Sequence, residues 1–183
     1  MIMNEICNGV FSIKSNLHID DRGTFFELYN KSIFSKSGLT NNFIQDNISY
    51  SKYRNTVRGL HYQKPPYEQS KFIFVISGAI FDFFIDIRKE SNEFGRCYSV
   101  ELNSLGDSLY IPKGFLHGFC TLEDNTIIGY KVDEVYKADH EIGLTWNDPH
   151  IDLKLPLDKS PIISNKDSHL LCWDDFIKEL GPS

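Results

Sequence analysis

Short segments rich in β-branched and aromatic residues, each closed by a turn signal, are the feature that most constrains the fold of this chain. The segments recur at short intervals, and Gly, Pro, Asn and Asp residues separate them. Regularly spaced short strands with few helical periods are typical of a β-sandwich or barrel. The predicted strands are 9–13, 24–29, 43–49, 56–61, 71–76, 79–87, 97–102, 107–111, 118–122 and 126–132. We therefore predict an all-β fold, a jelly-roll β-barrel with short peripheral helices.

The connecting segments give three further predictions. Ser77-Gly78 lies between two apolar runs and predicts a β-hairpin turn. Helical signals are confined to residues 30–37 and 174–180, and Gly181-Pro182 would end the second helix. The 183 residues suit a single domain over 1–183, with an N-terminal strand arm over about residues 1–30 and a C-terminal arm and helix over about residues 156–183.

Composition and charge argue against several classes of protein. The formal net charge is −6 and no basic run occurs, which disfavours general nucleic-acid binding. The longest apolar stretch is interrupted by polar residues and a glycine, so it predicts no membrane span. The four cysteines are widely spaced and form no CxxC motif, as is typical of reduced thiols in the cytosol. We expect a cytoplasmic protein with no nucleic-acid or membrane partner.

His61 is the first candidate for chemistry and lies within a predicted strand. Strand alternation places Gly59, His61 and Gln63 on one face, and Arg58 with its alternate neighbours on the other. If the first face lines a barrel interior, His61 and Gln63 point into a pocket together. The alternative is a core histidine that one hydrogen bond satisfies.

His117 ends a second informative stretch. Gly106-Asp107 turns the chain into a strand, Pro112-Lys113-Gly114 forms a tight turn, and His117 begins the returning strand. This pattern resembles the second sequence motif of the cupin superfamily, which implies a small β-barrel with an internal ligand pocket. Many cupins bind a metal through His-x-His, a Glu and the later His. Here Gln63 replaces the second histidine, with Glu68 downstream, and Gln is a weak ligand for transition metals.

Several short motifs occur in one order along the chain, from about residue 9 to residue 167. Together they resemble the dTDP-4-dehydrorhamnose 3,5-epimerase family, nucleotide-sugar epimerases of the cupin superfamily. The matching segments are DRGTFFE at 21–27, QDN at 45–47, RGLHYQ at 58–63, QSK at 69–71, DIR at 86–88, IPKGFLHGF at 111–119, YK at 130–131 and WNDP at 146–149. The cupin-like jelly roll, the activity and the site residues below are what this resemblance implies.

The resemblance implies a role for each matching residue. His61 matches the general base, Asp167 the acid that orients it, Tyr130 the general acid, and Lys71 the cation beside the keto oxygen of the sugar. The residues that it implies contact the nucleotide sugar are Arg22, Phe25, Glu27, Gln45, Asn47, Arg58, Gln63, His117 and Tyr136. It also implies a homodimer formed by strand exchange, with some of these residues reaching across to the other subunit.

The implied reaction inverts C3 and C5 of a nucleotide-linked 4-keto-6-deoxy sugar, most simply dTDP-4-keto-6-deoxy-D-glucose. A proton α to a keto group can leave only if the enolate is stabilised, which a buried lysine can do. A base on one face and an acid on the other then allow removal and return of the proton with inversion. The mechanism needs neither a metal nor a nicotinamide cofactor, and no GxGxxG motif occurs.

Departures from the family pattern leave the exact reaction open. They are the segment 24–26, Gly129 before Tyr130, the segment 132–134, and Ala138. The alternatives are epimerisation at C3 or C5 alone, or another nucleotide sugar, such as a GDP- or CDP-linked sugar or a heptose. A metal-dependent cupin such as a dioxygenase and a sugar-binding protein without catalysis are the more distant possibilities.

Overall fold

A computed structural model describes residues 1–181, and it contains two antiparallel β-sheets packed against each other. The predicted all-β jelly-roll fold is confirmed. The strands are β1 (Ile2–Cys7), β2 (Val10–Lys14), β3 (His18–Asp20), β4 (Gly23–Phe25), β5 (Gln45–Ser51), β6 (Val57–Gln63), β7 (Lys71–Ser77), β8 (Ala79–Asp86), β9 (Cys97–Asn103), β10 (Asp107–Ile111), β11 (Phe115–Thr121), β12 (Thr126–Val132) and β13 (Glu141–Gly143). The helices are α1 (Lys31–Lys36) and α2 (Trp173–Leu180), with 3₁₀ turns at Ala138–His140 and Asp167–His169.

The two sheets interleave strands that are distant in sequence. One sheet has six strands in the order β1-β2-β10-β7-β12-β5, and the other has five in the order β13-β6-β11-β8-β9. β3 and β4 form a separate small hairpin. All strand pairs within the sheets are antiparallel. Neighbouring strands such as β7 and β12 therefore bring distant residues into register, for example Val132 with Lys71 and Ile127 with Ser77, which is how the fold assembles a pocket.

Three apolar clusters hold the layers together. The first lies between the sheets and includes Ile73, Phe84, Leu109 and Ile128. The second packs α2 and the segment before it onto the outer face of the five-stranded sheet, and the third lies between α1 and the outer face of the six-stranded sheet. β8 is almost continuously apolar because apolar partners cover both of its faces: Phe84 faces the inner cluster and Phe83 the outer one.

The turn at Ser77-Gly78 corrects one prediction. β7 and β8 do not pair as a hairpin, because β7 pairs with β10 and β12 whereas β8 pairs with β9 and β11. Gly78 has φ +82°, and a Cβ there would lie 2.5 Å from Oγ1 of Thr126. The turn thus takes the chain from one sheet to the other. The sequence signal was a valid sign of a chain reversal, but it carried no information on which strands would pair.

Both predicted helices are confirmed. Asn30 caps α1 by accepting hydrogen bonds from the backbone N–H groups of Ser32 and Ile33, and Phe34 packs edge-on against Phe72 at 5.1 Å. α2 begins one residue earlier than predicted and ends at Leu180, and Gly181, whose φ is +77°, caps its C-terminus. Pro182, the second half of the predicted stop signal, lies outside the described residues.

Some strand predictions were wrong in extent. The predicted strand 24–29 is present only as β4, and β1, β3 and β13 were not predicted. β1 is an edge strand with a polar centre at Asn4 and Glu5, so neither apolar alternation nor a β-branched run marks it. Together with β2 it forms one side of the six-stranded sheet, so residues 2–14 belong to the main body of the chain.

The segment between β13 and α2 runs beside the five-stranded sheet almost without regular structure. Isolated parallel bridges hold it at two points, Thr56 with Ile162 and Leu144 with Leu171. This segment matters for the site because it brings Asp167 to Gly59 and His61 in the middle of β6. No helix in the described part of the chain is long and apolar enough to cross a membrane.

Candidate active site

A cavity of about 330 Å³ opens between the two sheets. Its wall is unusually rich in titratable side chains for the interior of a β-sandwich. The lining residues are Ser49, Arg58, His61, Gln69, Lys71, His117, Gly118, Phe119, Tyr130, Tyr136, Glu141, Ser164, Lys166 and Asp167. All four residues predicted to be catalytic, His61, Lys71, Tyr130 and Asp167, are among them.

The two sheets supply different groups to opposite sides of the cavity. The five-stranded sheet contributes His61 on β6 and His117 on β11, which are direct cross-strand partners. The six-stranded sheet contributes Lys71 on β7 and Tyr130 on β12. A flat ring bound in the cavity would thus have a histidine on one side and a tyrosine on the other.

A bulge in β6 overturns the predicted strand faces. The pairing of β6 with β11 shifts between His117 and Phe119, so Arg58 and His61 both line the cavity although three positions separate them. Gly59 makes this possible: its φ is +103°, and a Cβ there would lie 2.7 Å from the carbonyl oxygen of His117. The prediction that His61 and Gln63 share the cavity face while Arg58 lies opposite was therefore wrong.

His61 and Asp167 form a hydrogen-bonded pair. Nε2 of His61 lies 2.9 Å from Oδ1 of Asp167, and Oδ2 accepts a bond from the backbone N–H of Gly59 at 3.0 Å. Burial of Asp167 raises its pKa, but the hydrogen bonds from His61 and Gly59 outweigh burial and hold the pKa below its usual range. The carboxylate is therefore ionised at neutral pH and accepts a hydrogen bond from the protonated Nε2 of His61. This leaves Nδ1 as the unprotonated nitrogen of the ring.

A second histidine–carboxylate pair lies beside the first. Nε2 of His117 is 2.8 Å from Oδ2 of Asp82, which is fully buried, and Oδ1 of Asp82 has no hydrogen-bond partner within residues 1–181. Burial raises the pKa of Asp82, against the opposing influence of His117 and Lys71. Sequence reasoning missed Asp82, treating it only as an interruption of an apolar run. Asp82 could have been found from strand alternation, because it lies two positions before Phe84 on β8 and therefore on the same, inward face of the strand.

Lys71 brings a positive charge into the interior. Burial lowers the pKa of its ammonium group below the usual range, although the charges of Glu141 and Asp82 act in the opposite direction. Nearby carboxylates therefore do not fully compensate the cost of burying this cation. Such a group is suited to stabilise negative charge that develops on a ligand oxygen.

Tyr130 is suited to donate a proton. It stands on β12, opposite Asn47 of β5 and Ile73 of β7. Burial raises the pKa of its phenol above the usual value, with a smaller opposing influence from Arg58. The phenol thus stays protonated at neutral pH.

Glu141, Tyr136 and Lys166 form a network at the mouth of the cavity. Glu141 accepts hydrogen bonds from the Tyr136 hydroxyl at 2.9 Å and from the Lys166 ammonium. Burial raises the pKa of Glu141, but Lys166, His61 and Tyr136 together bring it below the usual range. Sequence reasoning predicted Tyr136 and missed Glu141 and Lys166. The position of Lys166 next to Asp167 was the one available sign.

Three of the nine predicted substrate-binding residues, Arg58, His117 and Tyr136, line the cavity. Gln45 and Asn47 lie on β5 on the same face as the lining residue Ser49 and bond to each other at 2.8 Å. Arg22 and Phe25 belong to the β3–β4 hairpin and are 90% and 73% exposed. The remaining two lie elsewhere: the Glu27 carboxylate accepts a bond from Asn30, and the Gln63 side chain is buried outside the cavity.

The four candidate metal ligands have other partners. His61 and His117 bond to carboxylates, Gln63 bonds to the backbone after β12, and Glu68 accepts a bond from the Tyr62 hydroxyl at 2.6 Å. In the described part of the chain, no group of three or more His, Cys, Asp or Glu side chains is placed to hold a metal ion.

Comparison with known proteins shows the family to which the chain belongs. A sequence model described as dTDP-4-dehydrorhamnose 3,5-epimerase matches residues 5–175. The chain belongs to this family. The resemblance found in the short motifs is thereby confirmed. The members of this family are epimerases, which are a class of isomerase.

Relatives and solved structures of the family cover nearly the whole chain. The dTDP-4-dehydrorhamnose 3,5-epimerase of Methanothermobacter thermautotrophicus is 40% identical over 163 residues, which is 87% of each protein. The crystal structure of the Bacillus anthracis epimerase with TDP and PPi bound is 44% identical with a TM-score of 0.88, covering 93% of this chain and 99% of that one. The Legionella pneumophila epimerase in complex with dTDP-4-keto-L-rhamnose is 32% identical with a TM-score of 0.92, covering 100% and 97%.

Proposed function

We propose that this chain inverts C3 and C5 of dTDP-4-keto-6-deoxy-D-glucose to give dTDP-4-keto-L-rhamnose. The observation that carries the proposal is the arrangement of the cavity: a histidine held by a buried carboxylate on one sheet, and a protonated tyrosine with a buried lysine on the other. The epimerase class of the family and the ligands of its solved members, TDP and dTDP-4-keto-L-rhamnose, support this substrate.

His61 is the base in this mechanism. Its Nδ1 takes the proton from the carbon next to the keto group, and the C–H bonding electrons move into an enolate whose negative charge lies on the keto oxygen. The ionised Asp167 holds the ring through Nε2 and stabilises the imidazolium that forms. A positioned base of this kind contributes about 10²- to 10⁴-fold in rate.

Lys71 stabilises the enolate. Its ammonium enters the cavity from the opposite sheet and is already desolvated, so no water must reorganise when the oxyanion forms. The lowered pKa of Lys71 reflects its burial, which the charges of Glu141 and Asp82 do not offset, and an enolate would add negative charge beside it.

Tyr130 completes the inversion. The phenol donates its proton to the carbon from the face opposite His61, while the enolate collapses back to the ketone. The phenolate and the imidazolium then exchange protons with solvent, which restores both groups. The positions of the two residues on different sheets support protonation from the opposite face. Two such cycles, at C3 and at C5, give the product.

A homodimer forms part of the proposal, because the predicted nucleotide contacts are incomplete within one chain. Arg22 and Phe25 extend into solvent on the β3–β4 hairpin and do not line the cavity. A second copy could bring this hairpin to the cavity. The exposed Ile48 and Tyr50 on the edge strand β5 offer apolar surface for the contact.

Mixing variants tests the dimer. A chain carrying Arg22→Ala and Phe25→Ala and a chain carrying His61→Asn should each be inactive. An equimolar, re-equilibrated mixture should regain about a quarter of the native activity, because about half of the dimers are then mixed and each of these has one complete site of two. A monomeric mass in solution, or no regain on mixing, would contradict the proposal.

We also place the enzyme in the cytoplasm, since its four cysteines are free thiols, as a reducing compartment favours.

Epimerisation at one carbon alone is the second candidate. The residues that depart from the family pattern do not favour it in the structure. Gly129 is accounted for on the outer side of β12, where a Cβ would lie 2.5 Å from the ring of Phe74. Asp133 accepts hydrogen bonds from the backbone of Ser70 and the side chain of Asn41. None of the departures, at 24–26, Gly129, 132–134 and Ala138, is among the residues that line the cavity.

Isotope exchange tests the function. In D₂O, the native chain should replace the protons at C3 and C5 of dTDP-4-keto-6-deoxy-D-glucose, as followed by proton NMR. The His61→Asn variant should lose exchange at both carbons, and Tyr130→Phe should reduce net inversion more than exchange. Exchange at one carbon alone would favour the single-site enzyme, and no exchange with the native chain would reject this substrate.

A further inference from the structure

Gln63 has an unusual set of hydrogen bonds for a residue outside the cavity. It stands two positions after His61 on β6, and it is 5% exposed. Its Nε2 donates to the carbonyl oxygens of Tyr67 and Val135 at 2.7 and 3.1 Å, and its Oε1 accepts from the backbone N–H of Lys137 at 2.7 Å. One buried amide thus satisfies three backbone groups, two of which flank Tyr136.

The segment that Gln63 holds connects β12, which carries Tyr130, to the 3₁₀ turn before β13. A second amide supports it: Nε2 of Gln69 donates to the carbonyl oxygen of Glu134 at 2.8 Å. The side chain of Tyr136 is fixed separately through its hydroxyl, which donates to Glu141. The ring is half exposed at the mouth of the cavity, so its position depends on these bonds more than on packing.

We propose that Gln63 is a positioning residue that holds the ring of Tyr136 ready to receive the nucleotide base. The inference rests on the proposed function, which places a nucleotide sugar in the cavity. Tyr136 is the ring offered to the base because it is 50% exposed, whereas Phe119 is buried and Tyr130 is partly buried. The inference assigns to Gln63 a role through the backbone of residues 135–137 in place of direct contact with the substrate.

Only an amide of this length meets the three backbone groups. Two carbonyl oxygens need donors and one N–H needs an acceptor, which the Gln side chain supplies together. A carboxylate could accept from Lys137 but would place its other oxygen against two carbonyl oxygens. An aliphatic side chain would leave all three backbone groups unsatisfied in a buried place. A segment fixed before binding loses less conformational freedom when the ligand arrives, which strengthens binding.

The test is the affinity of Gln63→Leu and Gln63→Glu for two probes, dTDP and inorganic pyrophosphate, by titration calorimetry. We expect dTDP to bind about tenfold more weakly to either variant, because binding must then order residues 135–137. Pyrophosphate has no base, so its affinity should stay within about twofold of native. The rate of exchange at saturating substrate should change little, because His61 and Asp167 keep their pairing.

A double-mutant cycle shows whether the effect passes through Tyr136. In a Tyr136→Ala background, adding Gln63→Leu should cause no further loss of dTDP affinity. Unchanged dTDP affinity of the Gln63 variants, an equal loss for pyrophosphate, or a loss that persists without the Tyr136 ring would each overturn the inference. If the native chain itself fails to bind dTDP, the proposed function fails instead. Gln63→Glu keeps one backbone partner and serves if Gln63→Leu does not fold.

Discussion

Replacing Asp167 with asparagine tests the base most sharply, because the substitution keeps the shape of the side chain and removes its charge. In the native chain one carboxylate oxygen serves the backbone N–H of Gly59 and the other serves Nε2 of His61. Asparagine has a single acceptor oxygen. The Gly59 N–H can only donate, so it should take that oxygen, and the asparagine NH₂ would then face His61.

The magnitude follows from the tautomer of His61. An NH₂ group facing Nε2 favours the ring with an unprotonated Nε2 and a protonated Nδ1, so the nitrogen left for the substrate can no longer accept a proton. We expect the loss of one positioned base, about 10²- to 10⁴-fold in the exchange rate, or about 3–5 kcal/mol in the barrier. Stability should fall by only about 1 kcal/mol, because the Gly59 hydrogen bond remains.

The assay is deuterium exchange at saturating substrate, read beside the thermal unfolding midpoint. Asp158→Asn is the matched control, because Asp158 belongs to the same C-terminal segment as Asp167. Its carboxylate lies outside the cavity and accepts a hydrogen bond from Asn55. Native-like exchange is expected for the control. If folded Asp167→Asn retains exchange within about threefold of native, the carboxylate does not set the state of His61 and the reasoning is refuted.

Three further predictions follow from single contacts. Burial lowers the pKa of Lys71 and raises that of Tyr130, so activity should fall on the basic side at a pH below the usual lysine value of about 10.4. Lys71→Met should remove this basic limb from the pH–rate profile and leave about 10²- to 10³-fold less activity. A basic limb that persists in Lys71→Met would show that another group titrates there. Asn30→Ala removes the cap of α1 and should cost about 1 kcal/mol, seen as a lower midpoint in thermal unfolding with unchanged activity; an unchanged midpoint would show that the cap contributes nothing. Gly129→Val would push a side chain into the ring of Phe74 and should cost about 1–3 kcal/mol without changing which carbons exchange; a switch to exchange at one carbon would place Gly129 in control of the reaction.

Sequence reasoning was most accurate where local pattern and tertiary environment agree. The strands over 107–111 and 126–132 were predicted with their exact bounds, since alternation and flanking turns mark both of them. The first helix was predicted over residues 30–37, and the helical residues Lys31–Lys36 lie within that range because Asn30 satisfies backbone groups of the first turn. Such signals are local, and at these elements the tertiary environment agrees with them.

Features that depend on contacts between distant parts of the chain could not be predicted from local sequence patterns. The bulge at Gly59 reverses the face of Arg58, and only the pairing of β6 with β11 reveals it. Asp167 lies 106 positions from His61, so its pairing was accessible only through the resemblance to a family. Strand register brings Glu141 to the cavity wall and Asp82 to His117, and an isolated carboxylate in a strand gives no sign of either contact.

The most direct test of the central claim reads isotope and configuration together in one NMR experiment. The native chain is incubated with dTDP-4-keto-6-deoxy-D-glucose in D₂O, and proton signals and coupling constants of the sugar are followed. The account predicts deuterium at both C3 and C5 and a product with both centres inverted, because base and acid lie on opposite sheets. Exchange at both carbons with the original configuration retained would contradict it, since removal and return of the proton would then occur on one face.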